Sequence, residues 1–164
     1  GSTRMSFVTK PTSLISLMLL AIVFLTSPAL MAETREQKVR LKLLNPGDSA
    51  NCQVQAVFKG DHDNCKNDGA KGRGDCSKDS GCVCTRQEKH ISWEIENKEH
   101  FNIVFDQGSD NPFVQKGSHE CNFKGNKKGK LRCRVKGKDV PKAIYRYSIS
   151  SPDCKSAQSQ IKIY

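Results

Sequence analysis

An all-β sandwich is the fold class this sequence predicts, and three observations predict it. Short apolar stretches alternate with polar residues at a period of two, turn formers such as Asn45-Pro46-Gly47-Asp48 separate them, and no convincing helical period interrupts them after residue 33. About seven or eight short strands of this kind, taken as antiparallel, bury their apolar faces best as two packed sheets.

The clearest pattern runs from His90 to Asp106. Ile91, Trp93 and Ile95 alternate with polar neighbours, and Phe101, Ile103 and Phe105 do so again beyond a polar turn, which reads as a β-hairpin with one buried face. Trp93 is the only tryptophan, and burying a side chain of that size anchors a core. Upstream, Lys38–Leu44 sets Val39, Leu41 and Leu43 against Lys38, Arg40 and Lys42, and Cys52–Phe58 sets Val54, Ala56 and Phe58 against Gln53 and Gln55. Gly60–Gly81 has no period and is long for a loop in a compact domain. Downstream, Gln107–Ser118 is expected to be a loop in which Pro112 holds its predecessor extended and Phe113 tucks under the sheet. A second hairpin is expected from Glu120–Phe123 and Lys130–Lys136. Ala143–Ile149 then forms a strand, Ser150–Gln160 a loop with Cys154, and Ile161 and Ile163 a closing strand.

Residues 1–32 read as lying outside the domain. Gly1–Arg4 precede Met5 as a cloning scar or upstream translation. Met5–Ala32 then combines Lys10, the apolar run LISLMLLAIVFL and small residues near a cut after Ala32 or Ala29, the three parts of a secretory signal. An apolar run of about 12 residues falls short of the ~20 that span a bilayer, and no later stretch is apolar enough to do so. The expectation is a single secreted or periplasmic domain, 33–164, whose formal charge is +8 once Arg4 and Lys10 are taken from +10.

All eight cysteines, Cys52, Cys65, Cys76, Cys82, Cys84, Cys121, Cys133 and Cys154, lie in that domain. An even count in an oxidising compartment predicts up to four disulfides, for which 105 connectivities exist. Folding about the turn KGNKKGK brings Cys121 opposite Cys133, which specifies one pair. Cys65, Cys76 and one or both of Cys82 and Cys84 are expected to staple the loop at 60–81, where apolar surface is scarce.

With Trp93 on a middle strand, FNIVF at Phe101–Phe105, YRYSIS at Tyr145–Ser150, a loop and the terminal IKIY, the chain over Val39–Tyr164 resembles the small exported sandwiches of cupredoxin-like and immunoglobulin-like type. The resemblance is one of strand order and implies fold. It also implies what a copper-binding cupredoxin would need: a Cys and a His between the last two strands, an upstream His and usually a Met. Here that loop holds Cys154 without His or Met, and no Met follows Ala32. Type 1 copper is therefore not matched and no cofactor is expected.

The strongest charge signal is Lys124–Lys138, which has eight Lys or Arg and no acid. Lys130, Arg132, Arg134 and Lys136 share one strand face, with Lys124, Lys127 and Lys128 at the preceding turn. Same-face side chains recur every ~6.8 Å along a strand, near the spacing of charges on an extended polyanion. The expected partner is an anionic envelope or extracellular polymer, or an acidic protein. Nucleic acid is disfavoured, because export removes it and no aromatics interleave on that face for base stacking. A solvated face or a charged edge that blocks sheet-to-sheet pairing is the competing explanation.

Two alternatives draw on other residues: metal or redox handling by Cys82 and Cys84 with His62 or His90, and a protein-binding or inhibitory role for the loop at 60–81. Asp61, Asp63, Asn67, Asp68 and Gly69 fail as an EF-hand, because Cys65 and Lys66 occupy positions that need an oxygen ligand and a glycine. His62, His90, His100 and His119 sit in no nucleophile or zinc-hydrolase motif, and Glu94 and Glu96 point to solvent. The sequence thus predicts a binding module that is not an enzyme.

Overall fold

The computed structural model describes residues 1–6, 8, 9, 33, 35–76, 78–106 and 110–164. Gly1–Leu30 and Met31–Tyr164 are separate units; most of the first, with the expected signal peptide and its cleavage site, lies outside the described residues. The second unit contains β1 (Glu36–Leu44), β2 (Gln53–Phe58), β3 (Val83–Thr85), β4 (His90–Ile95), β5 (Asn102–Phe105), β6 (Lys130–Arg134), β7 (Ile144–Ser150) and β8 (Ala157–Ile163). Four single-turn 3-10 segments are the helical structure among the described residues.

Two four-stranded sheets form, a front sheet ordered β2-β1-β4-β6 and a back sheet ordered β3-β8-β7-β5. Alternation decides which side chains meet between them. In β1, Val39 and Leu41 are buried while Lys38, Arg40 and Lys42 are exposed, and in β7 Tyr145, Tyr147 and Ile149 are buried while Arg146 is exposed. The inner faces share one apolar cluster. At its centre Trp93 is fully buried and meets Phe113 and Tyr147 edge-on at 5.8 and 5.9 Å. Its Nε1–H donates to Tyr147 Oη at 3.0 Å, and burial pushes the Tyr147 hydroxyl up to about 12. Tyr147 is also hydrogen-bonded to Ser159, whose hydroxyl donates to the Asp79 carboxylate at 3.2 Å. This polar chain satisfies the buried Trp93, Tyr147 and Ser159 donors, as low-dielectric surroundings demand.

The expected two-sheet sandwich is present, with three corrections to its wiring. First, the sheets are mixed: β1 pairs with β4, and β3 with β8, in parallel, while the other four pairs are antiparallel. Second, β4 and β5 are no hairpin. Both edges of β4 are taken, by β1 and β6, and the chain crosses through a turn with positive φ at Asn97 and Lys98 to put β5 beside β7 in the other sheet. Two facing sheets bury alternating stripes just as one hairpin does, so periodicity could not separate the two. Third, Glu120–Phe123 is not a strand against β6. Val114 N–H donates to Arg134 C=O at 2.9 Å and Lys136 N–H to Pro112 C=O at 2.8 Å, so the segment around buried Phe113 occupies that edge instead. The three-residue β3 escaped the alternation, and β8 starts at Ala157, four residues earlier than Ile161.

Four disulfides close the domain: Cys52–Cys154, Cys65–Cys84, Cys76–Cys82 and Cys121–Cys133. The specified pair and the stapling of the loop are both as expected. Cys65, Cys76, Cys82 and Cys84 bury one another with Ala70 in a second small cluster, where covalent closure takes the part of apolar burial. Gly81 lets this loop lie against the sandwich: a Cβ there would sit 2.8 Å from Ala56 Cβ and 2.9 Å from Ser159 Oγ.

Candidate anion-binding face

The outward face of the front sheet gathers the charge. Strand register places Lys38 beside Ser92 and Ser92 beside Arg132, then Arg40 beside Glu94 and Glu94 beside Lys130. Two rows of cations therefore flank β4, one on β1 and one on β6, about 9.6 Å apart at two strand spacings. Lys59 joins the first row, because its N–H donates to Lys38 C=O at 2.7 Å. Between the rows Ser92 is the smallest outward residue, and a shallow depression of about 250 Å³ opens above it, bordered by Lys38, Arg40, Lys59, Lys130 and Arg132 with Glu36 and Glu94.

The cations differ in how they are engaged. Arg132 Nε lies 3.2 Å from Glu36, Lys42 pairs with Glu96 at 3.5 Å and Arg134 reaches Glu88 at 3.8 Å. Exposed pairs of this kind contribute little and exchange readily with other anions. Lys38, Arg40, Lys59 and Lys130 make no ion pair among the described residues. His90 registers the local field. Burial first, then Arg132, holds it below its ordinary 6.5, with Glu36 opposing and Arg134 and His119 adding to the lowering.

Of the stripe read from sequence, Lys130 and Arg132 stand exposed on this face and Arg134 is half-buried at its end. Lys136 lies beyond β6 and is committed elsewhere, its Nζ donating to Asn111 C=O at 3.2 Å. Lys127 and Lys128 are exposed in the turn before β6, and Lys128 borders a second shallow hollow with Glu94, Glu96 and Lys130. Lys124 is bridged through its backbone to Asn102 of the back sheet. Sequence reasoning missed Lys38, Arg40, Lys59 and Ser92. The alternation in KVRLKLL marks Lys38 and Arg40 as outward, but only the strand order shows that they face the β6 row.

The cysteines, Asp63, Asn67 and His62 are engaged elsewhere. All eight cysteines are in disulfides, so Cys82 and Cys84 offer no thiolate in this state, although the sulfurs of Cys65, Cys76 and Cys84 lie within 4.8 Å of one another. Cys154 is bonded to Cys52, and with no His or Met between β7 and β8 the donors do not fit type 1 copper. Asp63 is paired with Arg73 at 2.6 Å, and Asn67 is hydrogen-bonded to His62 and Tyr164.

Fold and site together define a disulfide-stapled β-sandwich with one cationic sheet face. No protein-family model matches the chain, and no curated protein matches it. Solved structures similar to it include a multicopper oxidase from Campylobacter jejuni, described as a metallo-oxidase, at 9% identity and a TM-score of 0.40, covering 80% of this chain and 26% of that one. The McoA multicopper oxidase of the hyperthermophile Aquifex aeolicus is similar at 9% identity and 0.35, covering 80% and 27%. The chain thus spans about a quarter of the length of these oxidases, and no residue role is transferred from them. Four disulfides suit an oxidising compartment, and among the described residues no helix is long and apolar enough to cross a membrane.

Proposed function

We propose that this protein is an exported, non-enzymatic binding module of the periplasm or extracellular space that engages an anionic polymer through the outward face of its front sheet. The observation that carries this reading is the pair of cation rows on β1 and β6, brought to either side of Ser92 by the register of β4. Two parallel rows neutralise a chain-like polyanion along its length and release its counterions. A folded acidic protein fits less well. Protein interfaces are anchored by buried aromatic and aliphatic side chains, and Leu44, at the end of β1, is the one exposed large apolar residue among the described residues of the front sheet.

The test is binding of the disulfide-bonded protein to polyphosphate, a sulfated glycan and polyglutamate across a salt series, beside a variant with Lys38, Arg40, Lys130 and Arg132 changed to Gln. Polymer affinity should fall steeply with salt, and the variant should reduce the log–log slope by about 3, from 0.7–0.9 per contact. Equal, weak binding by both proteins sinks the reading. Salt-insensitive capture of one acidic protein would move the face to a protein partner.

A further inference from the structure

The depression above Ser92 differs from the rest of the cationic face, because its donors surround a point. Lys38 and Arg132 stand on either side of Ser92 in register, Arg40, Lys59 and Lys130 are the other cations of the rim, and the Ser92 hydroxyl makes no hydrogen bond among the described residues. We infer that this depression is a subsite for one tetrahedral oxyanion, a phosphate or sulfate group borne by the polymer; this rests on the polyanion reading of the same face.

The chemistry of the rim favours that group over a carboxylate. A carboxylate is planar and best met by the fork of a guanidinium. Two guanidiniums border the depression, Arg40 in the Glu94 row and Arg132, whose Nε faces Glu36 at 3.2 Å, but ammonium groups outnumber them. Lys38, Lys59 and Lys130 are the majority, point donors that each take one oxygen of a charge-dense group. A hydroxyl on the floor takes a further oxygen. Glu36 and Glu94 on the rim repel any anionic guest, and the five cations around them outnumber them.

Ser92→Val is the discriminating variant: it removes the hydroxyl and narrows the depression without changing any charge, and a β-branched residue suits a central strand. Polyphosphate and a sulfated glycan should bind the native chain at least about tenfold tighter than polyglutamate of matched length at equal salt, the worth of one or two charge-assisted hydrogen bonds. In the variant that preference should collapse to within about twofold while the salt slope stays the same. Backbone amides of Lys38, Ser92 and Arg132 should shift saturably with inorganic phosphate and not with acetate, and the variant should lose these shifts. A phosphate preference that survives Ser92→Val, or phosphate and acetate shifts that coincide, overturns the subsite and leaves the polyanion face standing. Loss of all polymer binding in the native chain would overturn both.

Discussion

The two outward faces of this sandwich solve the same solvation problem in different ways. On the back sheet Ser148 stands opposite Gln158, Ser150 opposite Asn102 and Arg146 opposite Gln160, and neutral groups satisfy each other: Gln158 Nε2–H donates to Ser148 Oγ at 2.8 Å and Ser150 Oγ–H to Asn102 Oδ1 at 2.7 Å. On the front sheet the corresponding positions are mostly charged, and cations outnumber acids around Ser92. Serine, glutamine and asparagine, with few charges such as Arg146 among them, are enough to keep one face wet. The front sheet's concentration of Lys and Arg therefore exceeds what solubility asks of a β-sandwich, and its position rather than its amount is the feature to explain.

The comparison can be erased outright by breaking the core that both sheets share. Trp93→Ala should cost about 3–5 kcal/mol, the usual toll of emptying a large buried aromatic site, read as a lower denaturant midpoint, and with it both faces should lose order. A more selective break exchanges one outward cation on each face. Lys130→Glu should weaken polyanion binding about tenfold at low salt, and Arg146→Glu less than about twofold; equal losses would mean that net charge alone attracts the polymer.

His90 sharpens the contrast through pH. It stands on the front face beside Glu36 and Arg134, with Arg132 and His119 near, and its folded pKa lies below 6.5. Its neutral form is the one the fold prefers, so that stability is fully present above 6.5 and is lost as pH falls through the lower folded value. A bound polyanion faces the same ring and opposes this, so polymer affinity should rise over the same interval. Replacing His90 by Gln should flatten both trends, measured by urea melts with and without polymer. The smallest expected change is Glu36→Gln. Freeing Arg132 from its 3.2 Å partner should strengthen binding about two- to threefold, the scale of an exposed ion pair; weaker binding would show that Glu36 positions Arg132 rather than competing for it.

How much of this could be read from residues depended on the range of the interaction. Alternation is local, and it marked Ile91, Trp93, Ile95, Phe101 and Ile103, all of them buried. Pairing is not local: the same alternation is compatible with a hairpin or with two strands in opposite sheets, and β4 and β5 took the second course. The Cys121–Cys133 bridge was legible although the hairpin expected to hold it is absent, because twelve residues separate the two cysteines and several turn geometries close so short a loop. The β6 half of the cationic face was legible as an unbroken basic run. Its β1 half required the parallel join of β1 to β4, which no local pattern encodes, and Lys136 looked equivalent to Lys130 until the segment around Phe113 took the edge beside it.

That parallel join also sets when the protein can fold. Consecutive β1 and β2, and β7 and β8, pair locally, but the other edge of β1 waits for β4, β4 waits for β6, and β3 cannot find its partner until β8 has been made. Non-local pairing of this kind is slow, and it gives a nascent chain little reason to collapse early. A sheet that closes only when the C-terminal strand is available completes its fold late, after nearly the whole domain has been made. The disulfide between Cys52 and Cys154, with a sequence separation of 102, can close only once the two ends of the domain have met.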